Sequence, residues 1–382
     1  MERIYLDNAA TAPLRESARQ AMVDALPLLA GNPSSLHADG RAAKDAIDEA
    51  RALFAETLGC LFAEVIFTGS GTEAANQAVI GAALGTTDPA RRRVLLGAAE
   101  HHCVLHTQPI LERLGFTVEL IPVSREGQVE PSVLAGRLGP DVAVVAVMHA
   151  NNELGTFNPI DELGAEVRSA GAVFVVDAVQ TFPWYWVGDI EARPYDVVTL
   201  AAHKFGGPPG VGALYIRGGV NVEPLVRGGG QERELRAGTE NVLGIIGAAA
   251  ALREARQEQD RSALAHIRDG FVAGLGPNWQ PTVRESATLP GHAHGRFPGI
   301  SADSMLIRLD GLGISASSGA ACSSGSIEPS HVMLACGYSE TEALEALRFT
   351  LGVGIARSEA EEAARRIRSA ADAIYGLRRP TG

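Results

Sequence analysis

Only two lysines occur in this 382-residue chain, and they stand in opposite settings. Lys44 lies four residues before Asp48 in a charged stretch, Arg41-Ala-Ala-Lys44-Asp45-Ala-Ile-Asp48, the spacing of an exposed helical ion pair. Lys204 closes an apolar run, Val197-Val-Thr-Leu-Ala-Ala-His203-Lys204, directly before Phe205-Gly-Gly-Pro-Pro-Gly210. An amine condenses with a carbonyl compound to give an imine, which a guanidinium does not usefully do. Lys204 is therefore the candidate for covalent chemistry; the plainer alternative is a strand-end lysine reaching solvent.

Other chemistry-bearing residues also end apolar runs. Asp177 closes Val173-Phe-Val-Val176, and a carboxylate at the tip of a buried strand needs a cation, a set of N–H donors or solvent. A lysine that holds an aldehyde and an acid that keeps a pyridine nitrogen protonated are the pair that pyridoxal 5'-phosphate requires. Thr68-Gly-Ser-Gly71-Thr72-Glu73 leads from a strand into a helix, a place suited to phosphate, although such a turn is often only a turn. His101, in Glu100-His101-His102-Cys103, is suited to stacking on a planar cofactor and to passing protons. His102 and His106 have metal-ligand spacing without a third ligand. Asn151-Asn152 follows another strand, where an Asn pair can also serve merely as a turn. Cys322 sits in Ala316-Ser-Ser-Gly-Ala-Ala-Cys322-Ser-Ser-Gly325, small residues that suggest an accessible and reactive thiol, or else a spare one.

The elements that must position these residues show in the hydrophobic pattern. Runs at 64–67, 93–96, 142–147, 172–177 and 197–200 are rich in Val and lack polar alternation, as strands covered on both faces do. Helical patterns such as Glu73–Leu84 and Ile160–Ser169 lie between them, which predicts an α/β fold with a mostly parallel central sheet. One long helix is expected over Leu243–Leu275, with further helices over Ser339–Phe349 and Ser358–Ile374. The length suggests a large and a smaller domain, with the boundary inside the Leu243–Leu275 helix; we expect the large one over 16–255 and a smaller α+β domain built from 1–15 and 256–382. A net charge of −12 and a pI near 5.4 argue against nucleic-acid or anionic-membrane binding. Four scattered cysteines without a C-x-x-C pair, and no apolar leader or span, lead us to expect a cytoplasmic protein.

Taken in order, these motifs resemble a family: the cysteine desulfurases of the fold-type I, class V aminotransferase group. The resemblance runs from Tyr5-Leu-Asp-Asn-Ala-Ala-Thr11 through Gly31-Asn-Pro-Ser34, Ser70-Gly-Thr-Glu73, Glu100-His101, Asn151-Asn-Glu-Leu-Gly155, Asp177-Ala-Val-Gln180, His203-Lys204, Arg236-Ala-Gly-Thr-Glu-Asn241 and the Cys322 segment to Leu347-Arg348-Phe-Thr-Leu-Gly352. It implies that Lys204 carries the cofactor aldehyde, Asp177 pairs with the ring nitrogen, Gln180 bonds the ring hydroxyl and His101 stacks on the ring. Gly71, Thr72 and His203 would form the phosphate cup, with Thr239 contributed by the partner of a homodimer. Asn152 and Arg348 would hold the carboxylate of L-cysteine, and Cys322 would take its sulfur as a persulfide for an acceptor, either an iron–sulfur scaffold or a thiolation carrier. Ala201 stands where relatives often carry a hydroxyl, a loss worth about 1–2 kcal/mol of cofactor binding. A selenocysteine lyase, another C–S lyase, an aminotransferase or a non-catalytic sulfur-carrier platform are the competing readings.

Overall fold

A computed structural model describes residues 3–186, 188–258, 261–284, 286–319 and 328–378. Among them the strands are β1 (Ile4–Tyr5), β2 (Val65–Thr68), β3 (Arg93–Gly97), β4 (Thr117–Ile121), β5 (Val142–Met148), β6 (Val173–Asp177), β7 (Val197–Ala201), β8 (Gly212–Ile216), β9 (Gln280–Pro281), β10 (His292–Arg296), β11 (Ile314–Ser315) and β12 (Ala346–Thr350). Seven of them form one sheet in the order β2-β8-β7-β6-β5-β3-β4. The run from β7 to β4 is parallel throughout, and β8 alone is antiparallel to its neighbours β7 and β2. This is the mostly parallel α/β sheet expected of fold-type I enzymes.

The apolar runs lack alternation because both faces of the sheet are covered. In β5, Val145 and Val147 face one core with the helices Ala38–Leu58 and Val242–Ala255, while Val144 and Ala146 face the other with the helical run from Gly71 to Gly85. A separate core gathers Leu6, Phe271, Phe349 and Ile367 around β12-β10-β9 and the helices Ser262–Gly274 and Arg357–Arg378. No helix among the described residues is long and apolar enough to cross a membrane.

Two expected helices are corrected. Leu243–Leu275 is not continuous: it divides into Val242–Ala255 and Ser262–Gly274, each serving a different core. The polar run between them offers no apolar stripe to bury, and Arg15 clasps the end of the first helix through Glu254 and Glu258 at 2.7 Å each. In Ser339–Phe349 the Ser339–Glu342 capping box starts a helix that lasts only over Glu340–Leu344. Ala346–Thr350 is instead the fully buried strand β12, paired antiparallel with β10.

Candidate active site

The ends of β2, β3, β5, β6 and β7 meet at one edge of the sheet, and the chemistry-bearing residues follow them directly. In an open α/β sheet this carboxyl edge is where ligands gather. A cavity of about 300 Å³ opens there, walled by Gly71 and Thr72 after β2, His101 after β3, Asn152 after β5, Asp177 and Gln180 at the end of β6, and His203 and Lys204 after β7. Arg348 enters from β12, and Cys103 completes the wall beside His101. Thr239 is not part of the wall of its own chain, and Cys322 lies outside the described residues.

Lys204 is held at the cavity by the carbonyls of Ala9 and Ala10, which accept from Nζ at 2.6 and 3.0 Å. Gln180 donates to the same Ala9 carbonyl at 3.0 Å, so the N-terminal segment braces both side chains. Asp177 Oδ1 accepts from the Val179 amide at 2.9 Å and from the Thr199 hydroxyl at 3.0 Å. Burial raises its carboxyl above the ordinary value, while those two donors and Lys204 pull it back. A cation at this end of the cavity would be stabilised by the carboxylate and would relieve its desolvation.

His101 caps the short helix His102–Leu105, its Nδ1 accepting from the Cys103 amide at 3.1 Å. That bond assigns the neutral ring's proton to Nε2. Burial, aided by the charge of Lys204, lowers His101 to about 4, so the ring is neutral at physiological pH. His203 is likewise lowered to about 4 by burial and then by Lys204, and its Nδ1 lies 3.1 Å from the Thr11 hydroxyl. The rings of His102 and His106 stack at 4.6 Å, and no metal-holding cluster of His, Cys, Asp and Glu occurs among the described residues.

At the other end Arg348 is 3% exposed. It donates to the Asn152 carbonyl and to Asp7 Oδ1, both at 2.8 Å. Its Nε, like Asn152 Oδ1, is buried without a hydrogen-bond partner among the described residues. Such atoms are costly to leave unmet, and a donor beside an acceptor suits the carboxylate and amine of an amino acid.

The cavity therefore fits pyridoxal phosphate and an amino-acid substrate: an amine, a buried acid, a flat neutral imidazole and a helix start lie along one wall. Glycine at position 71 leaves that start open: a Cβ there would crowd the Ala201 methyl at 3.0 Å and Val179 Cγ2 at 3.3 Å. Several contributors were not assigned roles from sequence: Asp7, the Ala9 and Ala10 carbonyls, Thr199 and Cys103. The motif Asp7-Asn-Ala-Ala-Thr11 signalled the N-terminal ones, but only the folded chain shows that Asp7 meets Arg348.

Comparison with known proteins shows the family and the fold. The sequence pattern of the family described as Aminotransferase class-V matches residues 4–362. A cysteine desulfurase IscS from Dictyoglomus turgidum is 41% identical over 355 residues, covering 92% of this chain and 90% of the relative. An IscS-like cysteine desulfurase from Mycobacterium tuberculosis is 40% identical over 359 residues, with 91% of each chain covered. Among solved structures, a NifS-like protein superposes with a TM-score of 0.89 at 32% identity, covering 98% of this chain and 100% of its own. SspA in complex with cysteine superposes with a TM-score of 0.79 at 30% identity, covering 91% and 98%. The chain belongs to the class-V aminotransferase family and, within it, to the pyridoxal phosphate-dependent cysteine desulfurases related to IscS and NifS.

Proposed function

We propose that this enzyme converts L-cysteine to L-alanine and retains the sulfur as a persulfide on Cys322 for delivery to an acceptor protein. The observation that carries the reading is the single cavity that joins Lys204 and Asp177 to Asn152 and Arg348. Bound pyridoxal phosphate would supply an electron-accepting ring that stabilises negative charge at the substrate Cα. Lys204 would hold its aldehyde and would take the substrate Cα proton. Asp177 would keep the ring nitrogen protonated, Gln180 would bond the ring hydroxyl, and Gly71, Thr72 and His203 would receive the phosphate. His101 would stack on the ring and exchange protons with the thiols from its neutral imidazole.

Arg348 and Asn152 hold the substrate carboxylate, which aims its Cβ–sulfur bond. The Cys322 thiolate attacks that sulfur: an S–S bond forms as the C–S bond breaks, the electron pair stays with the substrate carbon skeleton, and two protons complete alanine, one delivered to Cβ and the one held on Lys204 returned to Cα. We further propose a cytoplasmic homodimer in which Thr239 of each chain completes the phosphate cup of the other, with an iron–sulfur scaffold or thiolation carrier as acceptor.

The test is brief incubation with L-cysteine, followed by alanine measurement and mass spectrometry of the peptide containing Cys322. Stoichiometric alanine and a peptide heavier by one sulfur are expected. Cys322→Ser should keep the visible absorbance of the lysine-bound cofactor and abolish persulfide and sulfide release. Unchanged turnover in that variant would point to a C–S lyase, and absence of alanine from the wild type to a non-catalytic platform.

A further inference from the structure

The buried carboxylate of Glu153 has no part in the chemistry above. It belongs to the loop after β5, whose shape Asn151 fixes: Asn151 Oδ1 accepts from the Glu153 and Leu154 amides at 2.8 and 2.9 Å, and Asn151 Nδ2 donates to the Ala99 carbonyl at 2.9 Å. Glu153 is 2% exposed, so its backbone direction commits the side chain to the interior. There Oε2 accepts from the Ser330 hydroxyl at 2.5 Å. Ser330 Oγ in turn accepts from the Met333 amide at 3.1 Å, capping the helix His331–Ala335. The same carboxylate lies against Gly319, where a Cβ would stand 2.8 Å from Glu153 Oε2 and 3.1 Å from Cδ. Gly319 has a φ of +83° and lies two residues after Ser317, which exchanges backbone hydrogen bonds with Arg348 at 2.7 and 3.3 Å.

Gly319 and Ser330 flank the Cys322 segment; the Glu153 carboxylate accepts a hydrogen bond from Ser330 and leaves no room for a Cβ at Gly319. We infer that Glu153 is a positioning residue for sulfur transfer: it ties the loop carrying Asn152 to Ser330 on one flank of the Cys322 segment and packs close to Gly319 on the other, setting where that segment starts and ends relative to the substrate held by Asn152 and Arg348. The inference rests on Cys322 being the sulfur-accepting thiol. Burial raises the Glu153 carboxyl to about 6, with Ser330 and Arg348 pulling it down. A buried acid whose one donor among the described residues is a hydroxyl is an expensive way to fill space, which favours a directional role.

The test compares Glu153→Ala, Glu153→Gln and Ser330→Ala in the cofactor-loaded enzyme under single turnover. Two readouts are needed: the change in cofactor absorbance on adding L-cysteine, which reports binding, and the rate at which Cys322 gains sulfur. Glu153→Ala and Ser330→Ala should bind cysteine with wild-type half-saturation and acquire persulfide about 10²-fold more slowly, as misplacement by about an ångström costs. Glu153→Gln keeps an oxygen that accepts from Ser330 and should recover a rate within about threefold of wild type, a difference of less than 1 kcal/mol. If Glu153→Ala fails to fold, Ser330→Ala reads the same tie. Wild-type persulfide rates in the folded Ala variants, or a loss that Gln does not restore, would overturn the inference. Failure of the wild type itself to form persulfide would instead overturn the desulfurase reading and leave the absorbance response to be explained by another reaction.

Discussion

Arg348 is held in the cavity before any substrate arrives, because Asp7 and the Asn152 carbonyl take two of its nitrogens and fix the plane of the guanidinium. The remaining buried Nε and Asn152 Oδ1 define what the site lacks. Asp177 follows the same logic: its two donors among the described residues are fewer than a buried carboxylate accepts, and Lys204 supplies positive charge nearby. Asp177→Asn should therefore retain the visible absorbance of the Lys204-bound cofactor and lower alanine production by about 10²–10⁴-fold, the range for losing a proton-holding group. Turnover measured against cofactor content decides this, and wild-type turnover in the loaded variant would remove Asp177 from its assigned role. The sequence showed Asp177 as a polar group ending an apolar run, whereas Arg348 was expected only through the family resemblance. It did not show Asp7 facing Arg348, since the two are 341 positions apart and only the folded β1 and β12 segments bring them together.

Elements differ in how openly they declare themselves. The runs at 142–147 and 173–177 were legible because complete burial demands continuous apolar residues, whereas β12 read as a helix because a genuine cap at Ser339 precedes it. Tertiary pairing with β10 overrides that local signal, as strand formation commonly does. The segment around Gln231–Glu234 was not legible at all. Glu232, Arg233 and Glu234 have φ values of 45°, 58° and 68°, costly for residues with side chains. What holds them is a buried pair: Arg51 donates to both Glu232 oxygens at 2.6 and 2.7 Å, and Glu232 Oε2 also accepts from the Phe67 amide at 2.8 Å. The two side chains are 6% and 1% exposed. Glu232→Ala would strand the Arg51 charge and is expected to cost about 3–5 kcal/mol in urea unfolding. Lys44→Ala, which breaks the exposed pair with Asp48, should change stability by less than about 1 kcal/mol. Equal effects would show that the strained segment is not anchored through Glu232.

For the molecule as a whole, the three-stranded sheet β12-β10-β9 meets the loops of the seven-stranded sheet at Arg348, under a constraint on charge. In the ladder His294 lies opposite Arg348, and His292 is nearby; burial drives both imidazoles toward neutrality, with the arginine's charge next in effect. His294 is lowered to about 3 and remains neutral while Arg348 stays charged, so the positive potential of this strand pair is concentrated where a carboxylate would sit. The arrangement carries a stability consequence whose sign is fixed. Unfolded, His294 takes up a proton as pH falls through its ordinary 6.5; folded, it does not until about 3. The unfolded state therefore binds more protons in that window, and the folded state loses stability as pH falls. Buried acids with raised values, Glu153 among them, act in the opposite direction, so the wild-type curve alone does not isolate the histidine. A comparison with His294→Asn does, because Asn retains a partner for the Thr282 hydroxyl that lies 2.9 Å from His294 Nδ1 and has no proton to gain. Between about pH 6 and about pH 4 the wild type should lose stability relative to the variant by about 1.4 kcal/mol per pH unit, one proton's worth. Urea unfolding across that range measures the difference directly; parallel stability curves would mean that His294 protonates in the folded chain and that Arg348 faces a second cation across the strand pair.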